Sequence, residues 1–223
     1  MRMKTTRECN NECRKDALNQ LLEKCPQWND LSFYMDNFVS LVLSKLKLFS
    51  SSDSKVKYRM VLIASFIRTH FVILDLIESS DLIEAATLIR KQIELLARFN
   101  ELDSKDIEEL CGKVPNVKNV NIGATYGALS EIAHSAKFEP LSLLGVEVSE
   151  KSIAFFVYPQ FNKHTLSTIS IYCDVFCKFV AEILQFENIS DSKEFSSTAM
   201  DIMENFITIG VNSPISYFEA WKE

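Results

Sequence analysis

The chain has 223 residues, 47% hydrophobic and 24% charged. A chain of that length buries roughly 70% of its unfolded surface, which with this balance excludes an intrinsically disordered protein. Five Gly and five Pro disfavour loop-rich all-β folds and glycine-rich nucleotide cradles, and a net charge of −6 makes the overall surface a poor match for nucleic acid.

The first residues are polar and charged, without an apolar segment or a small-residue cleavage site, so a cytoplasmic location is expected. A first helix is expected over 11–24, ending before Pro26 because proline cannot continue a helix. Asn29 or Asp30 can cap a second, in which Leu31, Met35, Phe38, Val42, Leu46 and Phe49 recur at helical spacing. The serine cluster 50–54 then offers N-caps for a long third helix over 55–78. Its apolar window 60–77 contains Arg68, His70 and Asp75, so it reads as a core helix rather than a membrane span. A satisfied core histidine is the preferred reading of His70. Asp81 followed by Glu84 has the form of a capping box opening a fourth helix that runs to about 102. A short fifth is expected over 104–112 and a sixth over 125–136.

The period then changes. Residues 146–158 are rich in β-branched and aromatic side chains and lie between Pro140 and Pro159, which predicts a small β-hairpin insert within about 141–158. A long apolar helix is expected over 163–186, and Asp191 with Glu194 opens another. Ser213-Pro214 opens a short C-terminal helix, about 214–222, whose Tyr217, Phe218 and Trp221 form an aromatic stripe suited to binding a partner. No repeat or long linker divides the chain. The expectation is one all-α domain over 1–223, a multi-helix bundle carrying a hairpin insert.

No phosphate loop, GxSxG, HExxH or calcium-loop motif is present. Of the six cysteines, Cys9/Cys13 and Cys173/Cys177 are each four apart, but helical spacers of that kind are unlike structural zinc turns, so neither metal nor cofactor is expected. The most suggestive polar set joins the fourth and sixth helices. Arg90 sits at the border of the stripe Leu82, Ala85, Ala86, Ile89, Ile93 and Leu96, with Glu94 beside it and Arg98 further out, where Glu94 and Arg98 suit an exposed pair. Tyr126, Ser130 and His134 follow at i,i+4 spacing on one face. Two readings compete: a pocket in which Arg90 holds an anion and His134 serves as acid or base, or a buried network that fixes helix register. The network is preferred, because no nucleophile or metal completes the set.

LIRKQIELLARFNEL followed by YGALSEIAHSA resembles a group of uncharacterised bacterial helical proteins with an Arg-x3-Glu helix before a Tyr-x3-Ser-x3-His helix. That group is in turn similar to the HEPN class of helical bundles, found in toxins, antiphage systems and RNA-cleaving effectors. The resemblance covers about 58–186 and implies a functional role for Arg90, Glu94, Tyr126, Ser130 and His134. HEPN ribonucleases carry an Arg separated by four to six residues from a following His, and no histidine here has an Arg at that distance. The resulting expectation is an accessory or interaction subunit of a bacterial assembly, of an antiphage or toxin-related kind, with a protein partner or a second copy. The alternative is a HEPN-like nucleotide-binding protein or ribonuclease.

Overall fold

A computed structural model describes residues 4–47, 50–120, 122–133, 143, 147–148, 153–154, 157–186 and 193–208. Among these residues the chain forms α1 Thr6–Lys24, α2 Gln27–Leu46, α3 Ser54–Glu78, α4 Leu82–Glu101, α5 Ile107–Leu110, a 3-10 turn Val117–Val120, α6 Gly123–Ala133, α7 Lys163–Gln185 and α8 Lys193–Thr208. The protein is an all-α bundle.

Local capping explains where several helices begin. α1 starts five residues before the expected 11, because Thr5 and Glu8 close a reciprocal box: the Glu8 amide donates to the Thr5 hydroxyl at 3.2 Å, and the Thr5 amide donates to Glu8 at 2.6 Å. Asp53 caps α3 by accepting from the amides of Lys55 (2.7 Å) and Val56 (3.2 Å). The box expected between Asp81 and Glu84 does not form. Asp81 makes no side-chain cap bond; its carboxylate instead accepts from Arg14 Nη2 (2.5 Å) and Ser79 Oγ (2.8 Å), tying α1 to the α3–α4 corner. That corner is a left-handed turn. Ser80 has φ +57°, its amide bonds the Ile77 carbonyl (3.0 Å) and the next amide bonds that of Leu76 (2.8 Å).

α7 lies at the centre. Residues on all its sides are buried, from His164 and Thr165 through Tyr172, Cys173 and Phe176 to Phe179, Val180 and Ile183. α4 packs against α3, α6 and α7, while α8 covers α2. Phe38 of α2 meets Phe176 and Phe179 edge-on, both at 6.3 Å between ring centres, and Phe66 of α3 stacks on Phe179. Each such fully buried ring contributes about 1.5–3 kcal/mol through the hydrophobic effect. α3 is long and apolar enough to span a membrane by length and composition alone, and half of its most apolar window is buried inside the bundle.

The hairpin insert is corrected. From about 141–158 the described structure holds one antiparallel contact two residues long, Glu147–Val148 against Ile153–Ala154. Ordinary strands run at least three residues, and a pairing this short has no face to pack as a layer. The expected C-terminal aromatic helix, with Tyr217, Phe218 and Trp221, lies outside the described residues.

Candidate functional site

Arg90 sits where the helical arithmetic of α4 places it, at the edge of the buried stripe, with its side chain 24% exposed. Its Nη2 donates to the Tyr126 hydroxyl at 3.1 Å and lies 3.0 Å from Glu94 Oε1. The Tyr126 hydroxyl donates in turn to that same Glu94 oxygen at 2.7 Å. The guanidinium carbon stands 5.2 Å from the centre of the Tyr126 ring, within cation–π range. One cation, one anion and one phenol therefore form a closed triangle that joins α4 to α6. Ser130, one turn beyond Tyr126, has a buried hydroxyl with no hydrogen-bond partner among the described residues, and so does Arg90 Nε. His134 lies outside the described residues.

The structure changes the reading of Arg98. Rather than pointing outward to pair with Glu94, it is buried at 6% exposure. Arg98 Nη1 donates to the Leu110 carbonyl (3.2 Å) and Nη2 to that of Lys113, while Nη1 also lies 3.2 Å from Glu101 Oε2. Glu101 Oε1 accepts from Lys105 Nζ (3.1 Å) and the Asn116 amide (3.3 Å). The connection after α4 folds back over its end, which buries an arginine that would be exposed on an isolated helix. Helical spacing within α4 could not reveal that, because the partners are carbonyls of α5 and of the turn after it.

His70 is fully buried and bonded on both ring nitrogens. Asp36, which is acceptor-only when ionised, faces Nε2 at 3.0 Å, so that nitrogen carries the proton and Nδ1 accepts from the Tyr172 hydroxyl. Burial pushes the Tyr172 phenol well above its ordinary range. Beside this set, Gln92 Nε2 donates to the Phe66 carbonyl and to Thr69 Oγ1, both at 3.1 Å. The Asp36–His70–Tyr172 chain joins α2, α3 and α7 with no access for a substrate to the ring or the phenol.

Arg59 forms a fourth node. It is bonded to Asp103 and lies 5.2 and 5.8 Å from the ring centres of Phe99 and Phe186. Burial raises the pKa of nearby Glu182, a rise that an Asn100 hydrogen bond opposes.

The cysteines are free thiols. Burial pushes Cys173 well above its ordinary range and Cys177 up to about 12, the second aided by Asp174. Thiols held protonated in this way are poor nucleophiles. Among the described residues no three His, Cys, Asp or Glu side chains gather as a metal site. A cavity between α3, α4 and α7 is about 10 Å³ and is lined by Phe66, Leu96, Phe99, Phe179, Glu182 and Ile183 among others. That is room for about one water, far below the several hundred Å³ of a ligand pocket.

No protein-family model matches the chain, and neither a curated protein nor a solved structure does.

Proposed function

We propose that this chain is a helical accessory subunit that works by binding another protein chain, in a cytoplasmic assembly of the antiphage or toxin-related kind that the HEPN resemblance implies. The observation that carries this reading is the outer face of α3, where Val61 (63% exposed), Phe71 (44%) and Val72 (46%) remain uncovered on a helix long and apolar enough to span a membrane by length and composition. The closed Arg90–Tyr126–Glu94 triangle, whose polar groups satisfy one another, favours binding over chemistry. A second candidate contact is the aromatic run Tyr217, Phe218 and Trp221, on the strength of its spacing.

The test replaces Val61 and Val72 together by Glu. Both positions are exposed, so the melting temperature of the purified variant is expected to stay near wild type. In gentle extracts of cells expressing the protein at native level, the wild-type chain is expected to elute as a larger species than the variant. Identical elution would count against the reading.

One observation favours the second reading, a HEPN-like nucleotide-binding protein or ribonuclease using Arg90, Glu94, Ser130 and His134. Arg90 Nε and Ser130 Oγ are buried polar atoms whose needs the described residues do not meet. The accessory-subunit reading expects purified protein to leave a mixed RNA substrate intact. Cleavage that disappears in His134→Ala would promote the enzyme.

A further inference from the structure

The outward residues of α3 follow a heptad. Val61, Arg68 and Asp75 repeat every seven residues, with Ala64, Ser65, Phe71 and Val72 at the intervening turns. Val61, Arg68, Phe71, Val72 and Asp75 are exposed and Ala64 and Ser65 are half-buried, so the seam lies open along more than three turns. Two contacts set the neighbouring helix antiparallel to it: Trp28 Nε1 donates to Glu78 at 3.2 Å, and Asp36 bonds His70. Phe33, 61% exposed, lies on α2 between those two points in sequence.

We propose that this seam is a homodimer interface, in which α3 packs antiparallel against α3 of a second copy about a two-fold axis between Phe71 and Val72. The proposal rests on the interaction-subunit reading and narrows its partner to a second copy of the chain. The charge pattern selects both occupant and register. Around that axis residue numbers across the interface sum to 143, so each Arg68 faces the partner copy's Asp75, twice by symmetry, and Phe71 faces Val72. A parallel pairing would set arginine against arginine and aspartate against aspartate. An antiparallel pairing centred on residue 68 would also oppose two arginines. Like charges so placed are destabilising, which leaves the register that unites the apolar pair with two ion pairs. Ser65, which faces Glu78 across the axis, is small enough to let the helix backbones approach, whereas Val61 and Ala64 face positions beyond the end of α3 and lie outside this contact. A lipid surface is the poorer occupant, because Arg68 and Asp75 lie within the apolar stripe and would have to be stripped of water. A contact of roughly four turns is at the small end for a stable interface, so a dissociation constant in the micromolar range is expected.

Sedimentation velocity on the full chain, from low to several hundred micromolar, tests this. Wild type is expected to pass from monomer to dimer. Arg68→Glu and Asp75→Arg, singly, place like charges across the axis and are expected to weaken dimerisation at least tenfold. The double variant Arg68→Glu/Asp75→Arg exchanges the charges and is expected to recover most of the wild-type affinity. Far-UV circular dichroism and melting confirm that each variant is folded, as expected for exposed positions. Wild type that stays monomeric, with or without flotation on anionic vesicles, overturns the proposal. So do single variants that dimerise like wild type, or a folded double variant that does not recover. A monomeric wild type would leave the extract experiment on Val61 and Val72 standing, so the two failures are separable.

Discussion

At Tyr126 a single hydroxyl serves two charged neighbours. Tyr126→Phe removes that link while the Arg90–Glu94 pair, 3.0 Å apart, persists. A half-exposed bond of this kind is expected to cost about 1 kcal/mol in urea denaturation. Arg90→Ala removes the shared cation and the cover over the ring, and about 2 kcal/mol is expected; unchanged stability would mean that the triangle holds nothing together. Asp174 supplies a pH-dependent contribution. Burial lifts its carboxyl from 3.8 to about 6, against the opposing pull of Lys178. The folded chain then takes up this proton at higher pH than the unfolded chain does. Ionised Asp174 therefore subtracts stability above about pH 6, and the penalty fades as pH falls towards 4. Asp174→Asn should melt above wild type near neutral pH, with the gap closing at about pH 4.5; a gap that ignores pH would refute this. The α4 part of the triangle was legible because 100° per residue puts Arg90 at the edge of an apolar stripe. Arg98 and Asp36 were not, since their partners come from loops and distant helices that periodicity does not see.

Among the elements, the α3–α4 corner decides how those two helices meet. Its left-handed residue is a serine, and Ser80 Oγ also lies 3.2 Å from Thr165 Oγ1 of α7. Alanine there keeps the backbone penalty and loses the hydroxyl, whereas glycine loses the hydroxyl but removes the penalty. Ser80→Gly should therefore be more stable than Ser80→Ala by about 1 kcal/mol, and the reverse order in thermal melts would contradict the turn geometry. The existence of α1 to α8 was readable from sequence, and α7 matched its expected span to one residue, its start capped by Asn162, which accepts from the His164 amide. Starts set by less obvious chemistry were missed. Thr5 and Glu8 extend α1 through a stretch with almost no buried side chains, so no apolar stripe announced it. The hairpin expectation failed because β-branched composition measures fit to a pleated surface, and two residues a side offer little surface to fit.

For the molecule as a whole, the all-α class followed from dominant 3.6-residue periodicity and few glycines. Which helix sits in the middle was only partly legible. α7 is apolar, yet its first half carries Ser167, Thr168 and Ser170, which look like surface residues until close packing buries them. A chain ending at residue 162 lacks this helix and is expected to lose the cooperative melting transition altogether. A sharp transition in that fragment would mean that the earlier helices hold a core of their own.

The central position of a late helix also has a consequence during synthesis. At roughly 5–20 residues per second, the first 162 residues take on the order of 10 s to make. Throughout that interval Phe38 and Phe66 lack the rings of α7 that cover them in the finished bundle. The nascent chain thus presents an aromatic surface to the cell before it presents a fold, and holdase chaperones that recognise such surfaces are expected to occupy it until α7 emerges.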